Sequence, residues 1–454
     1  MTARFTEAEV ASFYDRRENV DRCFGNLGGS LHWGYFPDPA GSSDEDLIRA
    51  CQRWNEYMLD RAQITSRSRV LEVGCGNGNT AIWLARQTGC EVVGIDISAA
   101  CIDRCRQQSQ ENPSLQLHFE QVSVTDLPFE SDSFTHVWSQ AALFHIDDRR
   151  QAFQEIQRVL QENGILVFDD LVIATESNVG DCLRSNAVSS SKDDIETLSQ
   201  MSLVVLEKAD FSSHLKKSYE ILSHEQGSES TELVDFAREV LSALDRGQMG
   251  WWFYHCQKIS DRLPWIHDNK NTEELRKKYD AWAPIYDADL DKSWVMPTHA
   301  ARLLEQVCPD RQIRILDAGA GTGKMGEALA KLGYKNITAI DLSEQMLAIA
   351  RKKQVYSDLY PANLEEPLTF CDGETFDAIA AVGVFTYGHA SPAGLSNLLP
   401  LLKPGGIFIV TVRASNQPMQ AAFDRLPCEL IRQENYLFDN ETFHVVSYKK
   451  KQTC

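Results

Sequence analysis

The feature that most constrains this chain is a short pattern that occurs twice. Val70-Leu-Glu-Val-Gly-Cys-Gly-Asn-Gly78 and Ile315-Leu-Asp-Ala-Gly-Ala-Gly-Thr-Gly323 are each an apolar run, an acid, and a Gly-x-Gly-x-Gly turn. The apolar run reads as a buried strand, and the glycines as a turn that lets backbone approach a ligand. A second apolar run follows each turn and ends in an acid, Asp96 after Val92-Val-Gly-Ile95 and Asp341 after Ile337-Thr-Ala-Ile340. The spacing is the same in both, since 96 − 74 and 341 − 319 both equal 22. Strand, glycine turn, helix, strand and acid make a nucleotide-binding βαβ unit, the acid being placed for ribose hydroxyls.

A dinucleotide site needs Gly-x-Gly-x-x-Gly and tolerates no carboxylate at the turn. Here Asn79 and Lys324 stand where its third glycine belongs, and Glu72 and Asp317 precede the turns. Those acids would repel a pyrophosphate and attract a ligand carrying an ammonium and a sulfonium. On these residues both halves resemble class I S-adenosylmethionine-dependent methyltransferases. The expected fold is α/β, two Rossmann-like domains in tandem over residues 1–262 and 263–454, with S-adenosylmethionine as cofactor and S-adenosylhomocysteine as its product.

At 454 residues the chain is long enough for two cores. A net charge of −20 argues against a nucleic-acid partner. The 12 cysteines form no CxxC pair and read as reduced thiols of a cytosolic protein, with no metal site. No signal peptide, and no run that would span a bilayer, is read in the sequence. A small-molecule methyl acceptor is the expected partner, and a homo-oligomer is left open.

In the first half, Glu7–Arg17 reads as a helix carrying Tyr14, followed by a glycine-broken aromatic segment, Phe24–Phe36. That segment is either packed core or a flap that excludes water from substrate. Its His-Trp-Gly-Tyr-Phe string resembles small-molecule methyltransferases that act on glycine-type amines, phosphoethanolamine, tocopherols and macrolides. Trp33, Tyr35 and Gln140 are the substrate-binding candidates. The fourth strand ends at Ser139, and the loop after it carries His145, which titrates in the range useful for acid–base work. The spacing of Ser139 and His145 resembles phosphoethanolamine methyltransferases, where a Tyr–His pair latches the site, so Tyr14 is the expected partner of His145. Ala141 stands where the phosphoethanolamine and glycine/sarcosine families carry an acid. The Asn178–Ser191 stretch offers only Arg184 to a phosphate, which disfavours a phosphorylated substrate. The resemblance further implies cofactor contacts from Glu72, Gly74, Cys75, Gly76, Gly78, Asp96, Ile97 and Ser139, and an adenine contact from Asp126. Amphipathic patterns over Asp193–Lys208 and Glu232–Leu244 suggest a helical cap inserted before the last strand.

Ser260–Asn271 reads as a linker. Tyr279-Asp-Ala-Trp-Ala-Pro-Ile-Tyr-Asp287 resembles the N-terminal segment of many methyltransferases, whose aromatic ring covers the cofactor. The corresponding cofactor candidates are Asp317, Gly319, Ala320, Gly321, Gly323, Asp341, Leu342, Asn363 and Val382, with Tyr387 in the place of His145. This half resembles the Williams–Beuren-region methyltransferase-like family. The expectation is a bifunctional enzyme that methylates one metabolite successively, on nitrogen before oxygen or carbon. One alternative is a single catalytic domain beside a cofactor-binding regulatory or dimerisation domain. A non-catalytic scaffold is disfavoured because neither turn nor ribose acid is lost.

Overall fold

The computed structural model describes residues 5–16, 32–39, 47–173, 191–224, 231–290, 294–370, 373, 375–438 and 441–452. Two compact units divide between Ser260 and Asp261. Phe24–Leu31 of the aromatic segment, and Arg184 with its neighbours, lie outside the described residues.

The first unit opens with α1 (Glu7–Asp15), α2 (Leu47–Ala62), β1 (Arg69–Val73) and α3 (Asn79–Thr88). It continues with β2 (Glu91–Asp96), α4 (Ala99–Glu111), β3 (Leu117–Gln121), β4 (Phe134–Ser139), α5 (Arg149–Val159) and β5 (Leu160–Ile173). It closes with α6 (Ser191–Gln200), β6 (Leu203–Asp210), α7 (Ser212–His224), α8 (Thr231–Asp245) and β7 (Met249–Lys258). The strands form one sheet in the order β3-β2-β1-β4-β5-β7-β6. β1 to β5 are parallel, and β7 runs antiparallel between β5 and β6. β1 is a continuous apolar run because helices cover both sheet faces, each face holding its own core cluster. α2 buries Ala50, Trp54, Met58 and Ala62, a four-residue spacing that keeps one stripe on the sheet.

The stretch expected to be a cap helix over Asp193–Lys208 is divided. α6 takes its start, and Leu203-Val-Val-Leu206 turns into the edge strand β6, where a β-branched apolar run fits a pleated surface better than a helix. The cap consists of α7 and α8.

The second unit comprises α9 (Arg262–His267), α10 (Thr272–Trp282), α11 (Tyr286–Leu290), α12 (Met296–Val307), β8 (Arg314–Ala318), α13 (Lys324–Lys331), β9 (Asn336–Asp341) and α14 (Glu344–Lys352). β10 (Asp358–Pro361), β11 (Phe376–Phe385), α15 (Pro392–Leu398), β12 (Leu402–Arg413), α16 (Gln417–Asp424), β13 (Cys428–Phe438) and β14 (Glu441–Lys450) follow. Its strand order, β10-β9-β8-β11-β12-β14-β13, repeats that of the first unit. The stretch expected to be a linker is folded: α9 occupies its middle, and Ile266 is buried against Leu275 and Trp282. Among the described residues no helix is long and apolar enough to cross a membrane.

Candidate active sites at the two glycine turns

Both glycine turns are built alike. Gly74 and Cys75 donate their N–H groups to the Ile95 carbonyl at 2.9 and 3.0 Å, as Gly319 and Ala320 do to Ile340 at 2.8 and 3.0 Å. These bonds fold the turn against the end of the second strand. Gly74 and Gly319 have φ of 72° and 73°. A Cβ on Gly74 would sit 2.3 Å from the Ala142 Cβ, and one on Gly319 would sit 2.3 Å from a Val384 methyl. Only glycine meets both conditions.

The ribose acids close the arrangement. Asp96 accepts from Gly76 N–H at 2.9 Å and from Ser98 N–H at 2.9 Å. Asp341 accepts from Gly321 N–H at 2.7 Å and from Ser343 N–H at 2.8 Å. Desolvation lifts both carboxyls to about 6, against these stabilising backbone bonds.

The acids before the turns lie lower. Glu72 and Asp317 are buried and outside the cavity walls, so the charge argument drawn from them needs correcting. They sit beneath the turn, where desolvation raises Glu72 to about 8 and Asp317 to about 7. Tyr356 donates to Asp317 Oδ2 at 2.6 Å, whereas Glu72 Oε2 has no hydrogen-bond partner among the described residues.

A helix lies over each turn. In the first unit α1 carries Glu7, Val10 and Tyr14 into the wall of a cavity of about 100 Å³. Asp15 holds the helix by accepting from Ser98 Oγ at 2.7 Å, and Glu7 by accepting from Ser123 Oγ at 2.6 Å. The Tyr14 hydroxyl and His145 Nε2 are 3.0 Å apart, so the structure brings this pair together. In the second unit Asp280 accepts from Ser343 Oγ at 2.6 Å, and the Tyr279 hydroxyl lies 2.5 Å from His389 Nε2. The second unit therefore has the same latch, formed by Tyr279 of the segment expected to cover the cofactor and by His389, which was not among the expected site residues.

Tyr387 is corrected accordingly. Its side chain is 44% exposed, and its role is through its backbone. The Tyr387 carbonyl accepts from Nδ1–H of both His267 and His389, each at 2.8 Å. That fixes the His389 tautomer, leaving Nε2 to accept the Tyr279 hydroxyl. Burial lowers His389 to about 4 and pushes the Tyr279 hydroxyl well up. At neutral pH this pair is an uncharged hydrogen bond that holds the helix, not a proton acceptor. The misassignment came from loop length. Ala142 and Val384 both face the first glycine of their turn, but His145 follows by three positions and His389 by five. The available signal was the Tyr-Asp dipeptide shared by Tyr14-Asp15 and Tyr279-Asp280.

Of the remaining candidates, Gly74, Gly76, Asp96, Ile97, Gln140 and His145 line the first cavity. Gly319, Gly321, Asp341, Leu342, Asn363 and Val382 line the second, of about 430 Å³. The structure does not bring the others to a wall. Ser139 is buried, its hydroxyl donating to the Val73 carbonyl at 3.0 Å. Cys75 and Ala320 point into the core under the turn. Gly78 and Gly323 are the left-handed caps of α3 and α13. Asp126 lies exposed on a turn closed by its N–H to the Ser123 carbonyl. Trp33 packs its ring 5.5 Å from Trp251, and Tyr35 packs 5.6 Å from Tyr57, so both are spent on the core rather than on a substrate.

One residue carries no signal in local sequence. Asp169, on β5, accepts from Trp54 Nε1 at 2.8 Å and from Ala141 N–H at 2.9 Å, and burial lifts it to about 7. Ala141 has φ of 49°. In the second unit the Thr411 hydroxyl accepts from Gly383 N–H at 2.7 Å, and Gly383 has φ of 80°. Each fifth strand thus pins a positive-φ residue shortly before the latch histidine.

These sites suit S-adenosylmethionine: a turn with no room for a Cβ, a half-buried ribose acid, and in the second unit Asn363 at the adenine position. Among the described residues no group of side chains could hold a metal ion.

Comparison with known proteins agrees. Residues 71–168 and 316–410 each match one family, described as a methyltransferase domain. The chain is 34% identical over 169 residues to methyltransferase GfsG of Streptomyces halstedii, a match covering 36% of this chain and 58% of that protein. It is 31% identical over 175 residues to O-methyltransferase rstn1 of Aspergillus nomiae, covering 38% of this chain and 76% of that protein. It is 27% identical over 252 residues to a glycine/sarcosine/dimethylglycine N-methyltransferase of Actinopolyspora halophila, covering 53% and 44% respectively. The chain belongs to the S-adenosylmethionine-dependent methyltransferases, and it carries their domain twice.

Proposed function

We propose that each unit is a methyl-transfer centre and that the chain methylates a small-molecule metabolite in successive steps. The observation carrying this reading is the repetition of the whole assembly: glycine turn, ribose acid, serine-anchored helix and Tyr–His latch. The bound cofactor would supply an electrophilic methyl group on a sulfonium. In the first unit Gly74, Gly76, Asp96 and Ile97 would hold it, and in the second Gly319, Gly321, Asp341, Leu342 and Asn363. The chain's own contribution is positioning and exclusion of water, with α1 and α10 covering the turns.

The resemblance of the first half supports nitrogen as acceptor, and the name of the rstn1 relative supports oxygen. The Williams–Beuren-region resemblance of the second half adds no acceptor chemistry. The test is to replace Asp96 and Asp341 separately by alanine, then count methyl groups added to candidate amines, phenols and acids by mass. Each variant should lose one donor site and stall at a different intermediate. If one variant loses a donor site and keeps full activity on every intermediate, one unit is regulatory.

A further inference from the structure

The two units differ in chemistry at the end of the fifth strand. Strand pairing aligns them: Glu72 faces Trp138 as Asp317 faces Ala380. Ser139 then faces Phe168 as Ala381 faces Val410. By this register Leu171 and Arg413 occupy the same place. Leu171 is buried in the apolar core. Arg413 lines the cavity of about 430 Å³ in the second unit.

The sheet order separates donor from acceptor. The ribose acid ends β9 and the adenine segment follows β10, so the donor belongs over the β8–β10 half. The half over β12 and β14 is left for the acceptor. Its walls include Thr411, Arg413, Phe438, Phe443 and Trp294. The three rings pack edge to face, with centroids 5.0 Å apart for Trp294–Phe438, 6.0 Å for Trp294–Phe443 and 5.9 Å for Phe438–Phe443. They form an apolar aromatic wall beside a guanidinium.

That guanidinium is fixed before any ligand arrives. Arg413 Nη1 donates to Glu441 Oε2 at 2.7 Å. Nη2 donates to His267 Nε2 at 2.9 Å, which is open to it because His267 Nδ1–H is committed to the Tyr387 carbonyl. Burial and the Arg413 charge lower His267, so it stays neutral and does not compete for an anion. Two of the five guanidinium N–H groups are thereby used, and among the described residues the buried Nε has no hydrogen-bond partner. Glu441 balances the charge, so an anion would be selected by directed N–H donors rather than by net field. A pre-set planar fork is suited to a carboxylate.

We infer that the acceptor of the second unit is a largely apolar molecule bearing a carboxylate, with the carboxylate on Arg413 and the apolar part against Trp294, Phe438 and Phe443. This rests on the second unit being a methyl-transfer centre. The first unit has no such fork at this position, so the carboxylate requirement belongs to the second unit alone.

The test is binding of matched probes to the full chain saturated with S-adenosylhomocysteine. 2-Naphthoate is compared with 2-naphthamide, and benzoate with benzamide, by equilibrium dialysis. The wild-type chain should prefer each acid over its amide by about tenfold or more, as charge-assisted hydrogen bonds imply. The double variant Arg413→Leu/Glu441→Leu removes the ion pair whole, leaving no buried lone charge, and should abolish the preference. Arg413→Lys keeps the charge without the fork and should weaken the acids several-fold while leaving the amides unchanged. Absence of any acid preference in the wild-type chain, or its survival in the double variant, would overturn the inference. S-adenosylhomocysteine stoichiometry is measured in parallel. If Asp341→Ala leaves that stoichiometry unchanged, the second unit holds no donor, and the underlying reading fails instead.

Discussion

Asp169→Ala is expected to release the loop that carries His145, and its effect can be worked from the contacts. The substitution strips two donors of their acceptor, the Trp54 indole N–H at 2.8 Å and the Ala141 N–H at 2.9 Å. A buried donor left unpaired costs about 1–3 kcal/mol, so the two together cost about 2–6 kcal/mol. Removing a carboxyl that burial has already lifted to about 7 offsets part of that, which puts the net near the lower end, about 2–3 kcal/mol. Ala141 adds its own strain, because φ of 49° disfavours an L side chain by about 1 kcal/mol. Ala141→Gly placed on Asp169→Ala should therefore recover about 1 kcal/mol. The assay is hydrogen exchange by mass spectrometry on peptides spanning 140–146, with peptides of the second unit as internal reference. Protection should fall by roughly thirty- to a hundred-and-fiftyfold in Asp169→Ala and return in part with the added glycine. Thr411→Val in the second unit should be milder, since Gly383 adopts its φ of 80° without strain. Unchanged exchange in Asp169→Ala, or no recovery on adding glycine, would refute the argument.

Stability should fall as pH rises from about 7 to 9. Glu72, Asp317 and Asp169 have folded values of about 8, 7 and 7, all above their ordinary range. Above about pH 7 the folded chain therefore binds more protons than the unfolded one, whereas below that the buried histidines, His32, His214 and His389 lowered to about 4, act in the opposite sense. Glu72→Gln should flatten the fall above about pH 7, as read by thermal melting against pH. Tyr14→Phe and Tyr279→Phe each remove one hydrogen bond, worth about 1 kcal/mol. Each should lower the kcat of its own unit by about fivefold, with S-adenosylhomocysteine affinity unchanged by calorimetry. Gly74→Ala adds backbone strain of about 1–2 kcal/mol to the clash at 2.3 Å with the Ala142 Cβ, and should remove one donor site. Gly321→Ala meets no atom within 4 Å and should weaken its site less, by calorimetric titration.

The parts of this molecule written in short stretches could be read directly. The turns, the ribose acids and the strands leading into them depend on residues within a few positions of each other. Tyr14 and His145 were also legible, through the resemblance of the Ser139–His145 spacing to phosphoethanolamine methyltransferases. His389 was not, since a loop longer by two residues moves the side chain that meets Tyr279. Edge strands β6 and β13 were missed for another reason. β13 is mostly exposed and shows no apolar alternation, and β6 follows α6 directly within one amphipathic stretch, so its short β-branched start is masked by the helical pattern before it. Trp33 and Tyr35 look like a substrate surface until Trp251 and Tyr57 arrive from distant positions to cover them. Asp169 could not be found at all, because its partners lie 28 and 115 positions away.

In both units the serine that anchors the covering helix stands two residues beyond the ribose acid and also gives that acid its backbone N–H. Door and seat are bolted to one post. Spent donor cannot leave by swinging the helix alone, because the swing pulls on Ser98 or Ser343 and so on the carboxylate gripping the sugar. If each half turns over as proposed, exit and release would be a single event paced by that unbolting, and raising solvent viscosity should slow it.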